Sequence, residues 1–583
     1  NTKGNIDLTS ATVNAGSLAL NAGGDLLLNT AVKTVDQVSA TGATRTTSTL
    51  GPIANLNVAG DAVIVTGGNV EQNAGNLNVG GNLGMAVGGN YDIGSVQTGE
   101  HKIVERANGV SNTDVNQTTG SSIKVGGVSQ IGVGGDLTAT GADINLAGGG
   151  VVAANGNVTL QAAKATSTTD SNSSGSDSHG SYSESLHRSD DTLTATTLNA
   201  GNSLTVVSGK DINVTGSAIS LDAGTATLAA AGNVNIGTAT ETHVENSQEQ
   251  HKHSNIVSGK EVASSSNTSA TLSQGSLLSA DSISIAGGKD INVAGSTIAG
   301  TNDVALNAAH DVNITTSQDT AQSSSSYQEK RTGLGAAGLT VTVGTNKLAT
   351  TNEASSATNN ASTVGSVNGN LSINAGNTLH VTGSDLIAGG NVSGMAANVI
   401  IDAATDTSHQ AQTQKTSSSG LTIGLAGSVG DAINNAYSES QAVRNSSNNG
   451  NDRAAALHGI AAANDAYSVG SAASSIAQGG KSDIGIKVSI GSSKSESQSS
   501  EEQATQRGAN VVAGGTAAFV ATGSDLTIAG SNVNANDVVL AAKNQVNVIN
   551  TTDTDSTRSS NSSSSASIGV QYTLGGGFGV SAA

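Results

Sequence analysis

Three imidazoles and three carboxylates crowd one short stretch: His243, His251 and His253 sit among Glu241, Glu245 and Glu249. Imidazole and carboxylate groups converging on one ion are the donor set of a zinc centre. A helical metal motif spaces its ligands at i, i+4, and the sequence around these residues is a polar tract with no convincing helix. The stretch therefore reads as a solvated loop. Gly88-Gly89-Asn90-Tyr91-Asp92 and Gly134-Gly135-Asp136 share the glycine–aspartate pattern of calcium-binding turns, but those recur about every nine residues and this chain does not. Bend glycines are the better account. No glycine-rich bend ends in the Gly-Lys-Ser/Thr of a phosphate loop. A polysaccharide-cleaving site needs acidic pairs in a groove and aromatic platforms for sugar. Six Tyr, two Phe and no Trp, widely spread, argue against one. No catalytic residue, cofactor or metal ligand is assigned from the sequence.

What the sequence repeats is a phrase. Gly209-Lys210-Asp211-Ile212-Asn213-Val214-Thr215-Gly216-Ser217-Ala218-Ile219 returns as Gly288-Lys289-Asp290-Ile291-Asn292-Val293-Ala294-Gly295-Ser296-Thr297-Ile298. Looser copies start at Gly60, Gly134, Gly376 and Gly523. Ile291 and Val293 flank Asn292, the alternation of a strand with one buried face. Gly295-Ser296 bends, Ile298 opens a second strand, Thr301-Asn302 turns, and Val304 with Leu306 forms a third. Val312-Asn313-Ile314 then repeats the first position. The step is 21 residues from Ile291 to Val312, 22 from Ile212 to Val234 and 20 from Leu526 to Val546.

Three short strands and three bends in so few residues predict one coil of a right-handed parallel β-helix, each coil too small to bury a core alone. The expected core is Ile212, Val214, Ile219, Val234, Ile236, Ile291, Val293, Ile298, Val304, Leu306, Val312, Ile314, Leu526, Ile528, Val538 and Leu540. Asn213, Asn235, Asn292, Asn313 and Asn547 are expected to stack as amide ladders.

Composition agrees with a thin solenoid. Charged residues are 12% of the 583, where a globular domain has about 25%, and aromatics are 1%. The net charge of −20 opposes binding to nucleic acid or an anionic membrane. Cysteine is absent, so there is no disulfide framework. No apolar run is long enough for a transmembrane helix. The start at Asn1, without a signal-peptide pattern, is what a piece of a longer protein would show.

The anchor glycines are unevenly spaced, at steps of 74, 75, 79, 88 and 147 residues. Polar excursions fill the difference, at 165–189, 238–276, 317–332, 405–419, 494–506 and 551–565. Several pass into glycine-punctuated alternating strands, as at 420–425, 484–490 and 568–574. The expected form is a long hairpin or ribbon lying on the coil surface, with disorder open to the most Ser-rich parts. The alternating strands are shorter than a membrane-spanning strand and lack aromatic girdles, so surface ribbon is preferred to membrane barrel. In the longest interval, Ile433 and Tyr437 at i, i+4 and the run from Asp452 to Ile476 predict two helices capped by Asp431 and Asp452.

The pattern G-x-D-I-N-V-x-G-S-x-I … D-V-x-L-x-A-A-x-x-V-N-I, with the Ser418–Gly424 strand and the Ala-rich 452–478, resembles the haemagglutinin repeats of large bacterial exoproteins. These include filamentous haemagglutinin-type adhesins and contact-dependent growth inhibition effectors. The resemblance covers nearly the whole chain, more loosely before Gly134. It implies a right-handed β-helical filament, secreted or held at the bacterial surface. It also implies export through an outer-membrane two-partner-secretion transporter, by way of an amino-terminal domain not evident here. The Val-Glu-Asn-Asn motif that precedes many toxins is absent; Val244-Glu245-Asn246 is followed by Ser247. The expected organisation is looser coils over 1–133, haemagglutinin-type repeats over 134–430, a helical insertion over 431–480 and a last repeat over 481–583. Three functions stay open: a segment carrying a toxin to neighbouring cells, an adhesin, and a β-helical polysaccharide enzyme.

Overall fold

The computed structural model describes residues 1–40, 42–255, 258–337, 340–426, 485–573 and 577–582, and all regular structure among them is β. The helices expected in 431–480 lie outside the described residues. The chain winds into a solenoid-like coil of parallel strands. Its unit is the expected one: Ile291–Ala294, then Thr297–Gly300, then Val304–Ala308, before Val312–Thr315 returns beneath the first. Ile291 stacks on Val312, Asn292 on Asn313 and Val293 on Ile314. First strands form one sheet, and second and third strands form another. Thirteen such coils follow one another among the described residues, with Val546–Ile549 opening a further one.

One apolar core runs along the axis. Ile212, Val214, Ile219, Val234, Ile236, Ile291, Val293, Ile298, Val304, Leu306, Val312, Ile314, Leu526 and Ile528 are all at most 3% exposed. Val538 departs from its expectation at 47% exposed, and Leu540 is only partly buried against the core. Val538 pairs with the buried Ala517, and Leu540 with the buried Phe519. They share the inward side of the coil, but no described coil covers them.

The repeated phrase is explained position by position. Its Asp sits at a bend, where the Oδ1 of one coil accepts the backbone N–H of the next. Asn157, Asp211, Asn233, Asp290 and Asp311 follow one another in this way, at 3.2, 2.7, 3.2 and 3.1 Å. The line reaches back to Asn5 and Asp25 and forward to Thr378. A Cβ on Gly232 would lie 2.1 Å from the Asp211 Oδ1, which is why glycine precedes Asn233. The phrase's Asn forms the expected amide ladder, Asn213–Asn235–Asn292–Asn313, with contacts of 2.8, 2.8 and 2.9 Å. Asn547 stands outside it and donates to Thr527. Gly216 and Gly295 hold φ of +57° and +54°, a left-handed conformation that side chains resist. The serine that follows turns inward. Ser276, Ser296, Ser362 and Ser384 each accept, through Oγ, the N–H of the buried residue one coil before, at 3.0 to 3.3 Å.

The excursions are strands, including the Ser-rich ones whose composition left disorder open. Each leaves the coil directly from a first strand. Tyr91–Arg106 is one 16-residue strand whose Tyr91–Gly94 pairs within the coil and whose Ser95–Arg106 pairs in a hairpin with Gly109–Gly120. Seven hairpins occur among the described residues, one after every second coil. They do not lie on the coil as separate ribbons. The return strand of each pairs antiparallel with the outgoing strand of the next, from Thr44–Leu50 with Tyr91–Arg106 through Gly485–Arg507 with Thr554–Thr573. Strand spacing sets this period. Two coils advance about 9.5 Å along the axis, and so do the two strands of a hairpin. One hairpin per two coils therefore tiles into a continuous sheet.

Candidate functional site

The chemistry-bearing side chains gather where one hairpin meets the next. The third hairpin pairs Ala163–Ser176 with Gly180–Thr194, and the fourth pairs Ala239–Ser254 with Gly259–Gln274. Serine, threonine and asparagine on both sides of these strands give no apolar face. No residue of either strand of the fourth hairpin is fully buried, so the sheet is one layer thick and open on both faces.

At the root of the last four of the six seams a carboxylate holds a backbone N–H of the preceding hairpin. Glu241 accepts from Leu193 at 3.0 Å, Asp319 from Ser273 at 2.6 Å, Asp406 from Asn359 at 2.7 Å and Asp553 from Gln506 at 2.7 Å. Sequence reasoning missed these four. Their signal was an acidic residue followed by threonine near the start of successive polar tracts: Glu241-Thr242, Asp319-Thr320, Asp406-Thr407 and Asp553-Thr554. Asp191 works beside them, 6% exposed, with Lys164 at 2.5 Å, the Thr166 hydroxyl at 2.7 Å and the Thr242 N–H at 2.9 Å. Burial pushes its pKa up, but these partners outweigh burial and hold it below the usual carboxylate range. Farther out, Glu329 is 6% exposed and ringed by Arg331, Tyr327 and Lys260. Burial opposes its ionisation, and the Arg331 and Tyr327 hydrogen bonds prevail, leaving its pKa lowered.

Glu241, His243, Glu245, Glu249, His251 and His253 all lie on Ala239–Ser254, which pairs without a register break. Their odd numbers put all six on one face, since side chains alternate along a strand. The helical spacing sought in the sequence was the wrong period. His243 Nδ1 lies 3.0 Å from Asp190 Oδ1, and Glu245 stands opposite Arg188. Glu249 faces Glu184, and His251 faces Tyr182. A trough of about 940 Å³ opens on the sheet, lined by Arg106, Ser173, Glu184, Glu249, Ser264 and Tyr327 among others. The glycine–aspartate turn at Gly134-Gly135-Asp136 has a structural occupation: Asp136 Oδ1 accepts the Asn157 N–H at 2.6 Å.

A family model described as Hemagglutinin repeat matches residues 104–184, 177–260, 256–365, 341–493 and 488–583. Several of these boundaries fall near hairpin tips, so a matched unit runs from one tip to the next and holds about two coils. The chain is 61% identical over 592 residues to a tRNA nuclease CdiA of Burkholderia pseudomallei, covering 100% of this chain and 45% of that protein. It is 60% identical over 592 residues to the tRNA nuclease CdiA-2 of Burkholderia pseudomallei strain 1026b, covering 100% of this chain and 19% of that one. A Toxin CdiA of Yersinia pestis is 35% identical over 583 residues, covering 99% of this chain and 17% of that protein. The chain thus spans less than half the length of these curated relatives. No solved structure matches it significantly.

Proposed function

The chain belongs to the haemagglutinin-repeat family, and from that premise we propose that it is a non-enzymatic filament segment of a contact-dependent growth inhibition exoprotein. Its work is mechanical. The coil, wound right-handed as parallel crossovers almost always are, carries an effector domain held outside this segment towards a neighbouring cell. The hairpin sheet would meet the surface or outer membrane of that cell. Export through an outer-membrane two-partner-secretion transporter, and residence outside the producing cell, belong to the same proposal. Nucleic acid is not an expected partner of a segment with a charge of −20.

The supporting observation is the coverage: a 61% match along all of this chain accounts for only 45% of a relative named as a nuclease. Removing this segment from its parent tests the idea in co-culture. The intact parent is expected to inhibit neighbouring cells and the shortened one to fail, while the effector made inside the target cell stays toxic. Equal inhibition by both would sink the proposal. The open trough favours a second reading, an adhesin that binds surface glycan or protein. Under that reading the isolated chain binds cells or a glycan array by itself.

A further inference from the structure

On an antiparallel sheet, residues i and i+2 of one strand and the residue opposite on the next bring three side chains to one face within about 5–8 Å. Glu249, His251 and Glu184 stand in this relation across the seam of the third and fourth hairpins. Their donor atoms all lie within 4.8 Å of one another, and His251 Nε2 is 3.8 Å from Glu184 Oε1. The seam around them is charge-matched. Arg188 faces Glu245 and Asp190 faces His243, yet Glu184 faces Glu249. Like charges directly opposed weaken a sheet. This exposed rung, where Glu184 accepts from the Ser173 hydroxyl at 3.3 Å and lies near His251, is therefore a weak point that a cation would relieve. The imidazole is oriented as well. It stacks on Tyr182, ring centroids 6.5 Å apart and 20° from parallel, and the Tyr182 hydroxyl accepts a 2.8 Å hydrogen bond from Asn108 Nδ2.

We propose that Glu184, Glu249 and His251 bind a divalent cation of the zinc class, which clasps the third hairpin to the fourth. The imidazole selects this class over calcium or magnesium, which take oxygen ligands. Three protein ligands leave a coordination position open, and Glu184 and Glu249 also line the trough. The other acid–histidine cluster, Asp290, His310 and Asp311, is not equivalent. Its carboxylates already hold backbone N–H groups of the next coil, and His310 Nδ1 sits 3.0 Å from each acid.

The test uses the full chain, stripped with a chelator and titrated calorimetrically with Zn²⁺, with amide exchange followed along Gly180–Thr194 and Ala239–Ser254. The unsubstituted protein is expected to bind one equivalent that Glu249→Gln and His251→Ala both lose, and His310→Ala to keep it. Zinc slows exchange at this seam only where the equivalent binds. Without metal, Glu249→Gln protects the seam at least as well as the unsubstituted chain, because the like-charge pair is gone; loss of binding is then not loss of fold. Unchanged stoichiometry in Glu249→Gln and His251→Ala, or zinc binding that leaves seam exchange untouched, overturns the proposal.

Discussion

Asp290 shows how little of this chain's chemistry is idle. Its Oδ1 accepts the N–H of Asp311, its own N–H is held by Asn233, and His310 Nδ1 lies 3.0 Å away. His380 interrupts the asparagine ladder, taking the place opposite Asn313, and bonds Asp402 at 3.0 Å. The bond to Asp402 raises the histidine's pKa against the pull of burial. For Asp402, burial pushes up, and the bonds to His380 and Thr382 carry it down. The signs fix a window. His380 contributes fully below its unfolded value of about 6.5, and that contribution is lost as pH rises through its raised folded value. Asp402 contributes above about 3.9, and loses that as pH falls through its depressed one. The pair is therefore strongest at roughly pH 4 to 6.5. Against His380→Asn, which restores the amide ladder, the unsubstituted protein should lose relative thermal stability as pH rises from about 6 to 8. A constant difference over that range would refute this account.

The hairpins raise a question of cohesion at the level of the element, because strands such as Ala239–Ser254 and Gly259–Gln274 have no buried face. Their roots supply one answer. Asp406→Ala leaves the Asn359 N–H without its acceptor at a residue only 8% exposed, a loss of about 1–3 kcal/mol. Amide exchange should quicken along the seam of Thr340–Asn360 with Ala404–Ala426 and stay slow in the coil core; Asp406→Asn, which keeps an acceptor oxygen, should change much less. The coil was legible in the sequence because Ile212 with Val234, and Ile291 with Val312, report burial at a step of 22 and 21 residues. The pairing between hairpins was not, since Ser264, Ser265 and Ser266 carry no alternation to betray which side faces what. The acidic clamps looked like ordinary surface charge. Glu249 and His251 share one polar tract, but Glu184 comes from another hairpin and only folding brings it to them. Val538 has the pattern of a core residue; what the pattern cannot state is whether a further coil covers it.

The whole molecule is governed by the match of two coils to one hairpin. Joining Asp211 to Ile291 removes two coils and one hairpin and restores the repeated phrase unbroken. That deletion should preserve amide protection at the remaining seams. Joining Asp211 to Val234 removes a single coil and sets the third and fourth hairpins about 4.8 Å closer along the axis than their strands require. Protection at that seam should collapse while the coil on either side survives, and hydrogen exchange read by segment separates the two results. The hairpin strands also lengthen along the chain, from 7 residues in the first to 23 in the sixth. At about 3.4 Å per residue the sixth reaches nearly 80 Å from the coil, farther than thirteen coils extend along the axis. In a beam, stiffness grows steeply with depth in the plane of bending. A thin web fixed edgewise to a slender rod resists flexing within the plane of the web and yields across it. This segment should therefore bend like a ruler, in one direction and most readily at its narrow, amino-terminal end.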